Sequence, residues 1–157
     1  MANLVSAGGV YLVGNLDEVQ AWPGSEDQAV YDSIPFGADE GLVTAVSGIP
    51  FIVLGIPDPL HVVRTGDGVT FATAIFCNDE SAIEGLVAGA SDEDWSSIGE
   101  LTVTGAVVVF DSALSGADAA VHGITIDHLS PGTYRVESRL FTPDPDTELQ
   151  LVRLLSR

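Results

Sequence analysis

No lysine occurs anywhere in the chain, and its five basic residues are all arginine: Arg64, Arg135, Arg139, Arg153 and Arg157. That absence removes whole chemistries. A phosphate-binding P-loop needs its Lys, and imine-forming enzymes need a Lys amine. Nucleic-acid binding requires clustered cations to neutralise phosphates, and five scattered arginines against 23 acids supply none. The single cysteine, Cys77, excludes an internal disulfide framework, thiolate zinc clusters and CxxC redox chemistry. Long apolar runs are also missing. Residues 1–16 are uncharged but carry no cationic lead for a signal peptide. Residues 41–57 are uncharged too, yet Gly41, Gly48, Pro50, Gly55 and Pro57 punctuate them into turns between short strands, where a membrane helix needs ~20 continuous apolar residues. The expectation is a soluble, cytoplasmic protein that touches neither membrane nor nucleic acid.

What is present is acid and aliphatic. With 23 Asp and Glu the formal charge is −18, while hydrophobic residues reach 46%. Mean hydropathy is +0.32, so the chain has core-forming material despite its charge. Its 157 residues are expected to form a single domain, 1–157, without repeats or linkers. The acid excess is uneven. Residues 1–134 hold 19 acids against one Arg, whereas residues 135–157 hold four of each.

Extended runs dominate the pattern. Residues 9–13, 42–46, 51–54, 60–64, 69–76, 101–110 and 122–128 are β-branched or apolar stretches separated by Gly, Pro and Asp. Residues 133–141 alternate in polarity, and residues 148–155 are rich in aliphatics. Thr142-Pro-Asp-Pro-Asp-Thr147 between them predicts the turn of a β-hairpin with Arg and Glu on its face. Asn78-Asp-Glu-Ser81 predicts a helix start, running to Val87 and stopping at Gly89. Residues 16–22 and 26–31 predict a helical turn or two each. The fold class that follows is mainly β, sandwich or barrel-like and mostly antiparallel, with one or two short helices; the alternative is α+β.

Chemical constellations are sparse. His122 and His128 share one side of a predicted strand, but six strand residues span ~20 Å, too far for one ion to bind both. No Ser stands in a Gly-x-Ser-x-Gly elbow, and Ser6-Ala-Gly-Gly9 reads as a turn. Asp144-Pro-Asp146-Thr-Glu148 lacks the remaining ligands of a calcium loop. No catalytic, cofactor or metal residues are therefore assigned, and the chain is not expected to be an enzyme. Two places suit a basic protein partner: Asp92, Glu93 and Asp94 beside Trp95, and Asp39-Glu40 after Pro35-Phe36-Gly37. Tryptophan is enriched at binding hot spots, and acids steer a cationic partner to them. The plainer reading is a capping Asp and a core Trp beneath an ordinary loop.

The segments Leu4-Val-Ser-Ala-Gly-Gly9, Asp17–Trp22-Pro-Gly24 and Ile34-Pro-Phe-Gly37 before residues 41–46 resemble immunity protein family 21 of bacterial polymorphic toxin systems. So do Val109-Phe-Asp-Ser-Ala113, Ser130-Pro-Gly-Thr-Tyr-Arg135 and residues 149–155, which also look like the competence protein J type of nuclease inhibitor. The resemblance covers both ends of the chain, rests on turn-and-strand patterns, and matches the middle loosely. It implies a small non-enzymatic protein that silences a cognate toxin, often a nuclease, in a heterodimer. A ligand-binding or adaptor β domain and a carboxylate hydrolase are the other classes weighed. A deep apolar pocket would mark the former, and two close buried carboxylates the latter.

Overall fold

The computed structural model describes residues 2–5, 10–35, 41–55 and 59–157. Seventeen elements follow one another along the chain: β1 (Ala2–Leu4), β2 (Tyr11–Asn15), α1 (Leu16–Val19), a 3-10 turn (Gly24–Glu26), α2 (Gln28–Asp32), β3 (Leu42–Val46), β4 (Ile49–Leu54), β5 (Leu60–Thr65), β6 (Gly68–Cys77), a 3-10 turn (Glu80–Ala82), α3 (Ile83–Ala88), β7 (Ser96–Val103), β8 (Val107–Asp111), α4 (Gly116–His122), β9 (Ile124–Ile126), β10 (Gly132–Asp144) and β11 (Thr147–Ser156). With 51% of the described residues in strands, about twice the usual share, the fold is mainly β.

The strands form two antiparallel sheets, ordered β1-β5-β6-β11-β10-β7 and β3-β4-β2-β8-β9. Among the described residues neither sheet closes on itself, so the architecture is a sandwich. The core between the sheets joins Tyr11, Val13, Ile52 and Val109 from the five-stranded sheet to Phe71, Leu101, Val136 and Val152 from the six-stranded one. Each sheet buries its outer face as well. Helices α1, α2 and α4, with Trp22 after α1, cover the five-stranded sheet through Val19, Trp22, Val30 and Ala119, against Leu12, Phe51 and Phe110. Helix α3 covers part of the six-stranded sheet, setting Ile83 and Val87 on Val63, Ala72, Leu149 and Leu151. Strands covered on both faces need apolar residues on both sides. That is why β2 and β8 are buried at all five positions each and read as continuous rather than alternating runs.

The structure corrects the reading of three segments. Residues 101–110 do not form one strand. They leave the six-stranded sheet as β7 and enter the five-stranded sheet as β8, with a break at Thr104-Gly-Ala106. Asn15 holds that crossing: its Nδ2 donates to the Thr102 carbonyl at 2.9 Å, and its Oδ1 accepts from the Thr104 amide at 2.9 Å. Residues 122–128 are not one strand either, because His122 ends α4 and only Ile124–Ile126 pair with β8. Of the four short α-helices among the described residues, α1, α2 and α3 stand where residues 16–22, 26–31 and 78–89 predict helical structure, and α4 is additional. Helix α4 escaped notice because its interior offers one small buried side chain, Ala119, rather than an apolar stripe.

Smallness is what seats α4. A Cβ on Gly116 would lie 2.0 Å from the Val19 carbonyl oxygen, and the Gly116 amide donates to the Trp22 carbonyl at 2.7 Å. The β10–β11 hairpin forms as expected, pairing Glu137 with Arg153 across the strands.

Candidate functional site

The acidic loop Asp92-Glu-Asp94 connects α3 to β7, and its members part company. Asp92 reaches Arg153, with its Oδ1 3.1 Å from Nη1, while remaining 95% exposed itself. Glu93 is exposed. Asp94 adopts a left-handed backbone (φ 66) and lines a hollow of about 170 Å³ with Ser96, Ile98, Ser138, Leu140 and Gln150. Trp95 is half-buried against the α3-side core, and its Nε1 donates to the Ser91 carbonyl at 3.0 Å. The guanidinium of Arg153 lies 4.0 Å from the centre of its ring, a cation–π contact that covers the indole face. The same guanidinium is bonded to Glu137 at 2.9 Å on the outer face of the sheet. Trp95 is thus sealed by a side chain of its own protein. Asp39 and Glu40 lie outside the described residues.

Arg139 is held in a similar way. Its Nη1 donates to the Ser91 carbonyl at 3.2 Å, and its guanidinium lies 4.8 Å from the Phe141 ring centre. All five arginines belong to the six-stranded sheet: Arg64 on β5, Arg135 and Arg139 on β10, Arg153 on β11 and Arg157 just beyond it, where it pairs with Glu100 on β7. The opposite layer has no such cations. Asp17, Glu18, Glu26, Asp27, Asp32 and Asp118 stand on the helical cover of the five-stranded sheet, whose strands and helices carry no Lys or Arg. The six-stranded layer carries twelve acids of its own among the described residues, so both layers hold an acid excess and only the arginines are one-sided.

Among the described residues no three His, Cys, Asp or Glu gather as a metal site. Asp144 uses its Oδ1 to accept from the Asp146 amide at 2.8 Å, closing the β10–β11 turn. The buried carboxylates Asp111 and Glu137 belong to different sheets and are already engaged, Asp111 by the Ala113 amide at 2.9 Å and Glu137 by Arg153. The crevice between the sheets beside Leu54, Phe71 and Val152 has a volume of about 10 Å³, too small for a ligand. No helix among the described residues is long and apolar enough to cross a membrane.

His128 meets the Gly68 carbonyl at 2.8 Å, and His122 is exposed at the end of α4. His61 is different. It sits on β5 at 1% exposure, and neither ring nitrogen has a partner. Burial lowers its pKa below the ordinary 6.5, and the nearby Glu80 carboxylate opposes that shift only partly. The unfolded chain thus takes up a proton here before the folded one does. Stability contributed at this position is complete above 6.5 and lost as pH falls through the lowered value. His61→Leu removes both the unpaired nitrogens and the titration. It is expected to raise Tm by an amount equivalent to about 1 kcal/mol and to flatten the Tm profile from pH 7.5 to 5. Thermal melts across that range check this; an unchanged acid slope in the variant would place the sensitivity elsewhere.

Compared with family models, with characterised proteins and with solved structures, the chain finds no match.

Proposed function

We propose that the protein is an immunity protein: a cytoplasmic binding protein that occludes a basic toxin domain, possibly a nuclease, in a one-to-one heterodimer. The observation that carries this reading is the acid excess, which both layers of the sandwich hold. Of 28 charged side chains, the five cations are confined to the six-stranded sheet, and two of them, Arg153 and Arg157, are tied into ion pairs. On the six-stranded layer twelve acids outnumber the five arginines, and over the helical cover no cation offsets the acids at all. A field of that kind attracts a cationic surface from a distance and competes with polyanions for it. The resemblance of both chain ends to immunity protein family 21 points the same way. The adaptor alternative has less behind it, since the crevice between the sheets is too small for a ligand.

Stopped-flow mixing with the basic product of the adjoining gene tests the reading. Association is expected at roughly 10⁸ M⁻¹s⁻¹ or faster in low salt, falling steeply toward physiological ionic strength as the screening length shrinks to ~8 Å. Replacing Asp17, Glu18, Asp27 and Asp32 by their amides should slow association and flatten its salt dependence, leaving dissociation nearly unchanged. A basic partner that binds with a salt-independent rate, or fails to bind at all, returns the protein to the adaptor class.

A further inference from the structure

We infer that the basic partner docks on the overhanging end of the six-stranded sheet, where Ile75, Phe76 and Leu140 expose apolar side chains among acids. This rests on the proposed function and gives it a place. Residues paired across antiparallel strands point to the same face, as do residues two apart along one strand. Val152 faces the five-stranded sheet in the central core, so Gln150 and Glu148 continue that face toward the hairpin end of β11. Leu140 pairs with Gln150, and Phe76 pairs with Glu148. Both apolar side chains therefore lie on the face that is buried further along the sheet. Here they are not buried: Phe76 is 46% exposed and Leu140 55%. The register shifts between Glu148 and Leu149, leaving Ile75 as the extra residue of a bulge next to Phe76, also 46% exposed.

Strands ~4.8 Å apart and a two-residue offset place the Cα atoms of Phe76 and Leu140 roughly 12 Å apart, with Glu148 and Gln150 of the intervening strand between them on the same face. The surroundings are acidic. Glu148 stands opposite Phe76, Asp94 shares the hollow with Leu140, and Asp144 and Asp146 form the turn beyond. Arg139 borders the same hollow and keeps its charge beside the neutral Ser91 carbonyl and Phe141 ring, but the four carboxylates outnumber it. Exposed apolar side chains interspersed with charge of one sign suit a protein partner of the opposite sign. Its complement is an apolar or aromatic side chain flanked by Lys and Arg. Trp95 does not offer this, being covered by Arg153.

Two synthetic peptides of equal positive charge, one with a central Trp and one with Ser in its place, test the assignment against the ¹⁵N-labelled full chain in low salt. The Trp peptide is expected to shift the amides of Ile75, Phe76, Leu140 and Glu148 and to bind at least about tenfold more tightly than the Ser peptide. Phe76→Ser and, separately, Leu140→Ser should each reduce that difference; both positions are half-exposed, and a dispersed spectrum checks the fold. Equal binding of the two peptides, or shifts centred on Asp17–Asp32, overturns this surface while leaving a cation-binding inhibitor in place. No binding of either peptide overturns the surface and the reading beneath it together.

Discussion

Trp22→Ala is expected to cost about 3–5 kcal/mol, the usual penalty for deleting a buried Trp, and so to lower Tm by roughly 10 °C. Trp22 is 1% exposed and joins the helical cover to the five-stranded sheet. Its ring meets Phe51 edge-on at 5.5 Å and 81°, and Phe51 in turn meets Phe110 at 6.2 Å. Its Nε1 donates to the Ser112 carbonyl at 2.9 Å, and its own carbonyl accepts from Gly116. Truncation removes the ring contacts, opens a cavity that the constrained Val19–Gly116 approach cannot close, and leaves the Ser112 carbonyl without its donor. Trp22→Phe keeps most of the ring but not the N–H, and should lose about 1–2 kcal/mol. Urea unfolding followed by circular dichroism separates the two. A loss below 1 kcal/mol for Trp22→Ala would mean that the helical cover is not anchored at this residue.

The role of Trp22 also explains what the sequence could and could not disclose. The strands with clear turn signals at both ends were legible: β3, β4, β5, β6 and the β10–β11 hairpin stand close to where alternation, Gly and Pro put them. The β7–β8 break was not legible, because nothing in Val103-Thr-Gly-Ala-Val107 forbids a continuous strand. The crossing is fixed by Asn15, a residue 89 positions from the Thr104 amide that it binds. Functional geometry was hidden for the same reason. Trp95 looked available beside three acids until the fold brought Arg153 over it from β11. Phe76 and Leu140 looked like ordinary strand residues until register placed them on one face beyond the core. The segments that carry the family resemblance do structural work here. Trp22 fills the helical core. Gly24 has φ 67, and a Cβ there would lie 2.6 Å from the Leu114 backbone. The Tyr134 hydroxyl donates to the Ser130 carbonyl at 2.7 Å, closing the corner into β10. Such motifs report a fold readily and a partner hardly at all, since binding surfaces are made by register and exposure.

Arg153→Met is the second large effect expected, about 3 kcal/mol of destabilisation. The side chains of Arg153 and Glu137 are only 13% and 11% exposed. Their bond is charge-assisted on the covered outer face of the six-stranded sheet, and the guanidinium also stacks on Trp95. Removing one partner of a buried ion pair leaves the other desolvated and unpaired, which costs about 3–5 kcal/mol when both are fully buried. The residual exposure of this pair puts the estimate at the lower end. Asp92→Asn should cost less than about 0.5 kcal/mol, because a 95% exposed carboxylate gains little from an ion pair in water. Arg153→Lys retains the charge but loses the planar fork that serves Glu137 and the indole at once, so it should fall between these two. The double variant Glu137→Gln/Arg153→Met removes both charges and is expected to recover most of the single-variant loss, because the cost lies in the stranded carboxylate. Chemical denaturation of these four variants and of Glu137→Gln alone closes the cycle and measures the coupling directly. If the double variant is as unstable as Arg153→Met alone, the penalty comes from the lost cover on Trp95. Residue 153 would then act as a lid on the indole, with its bond to Glu137 incidental.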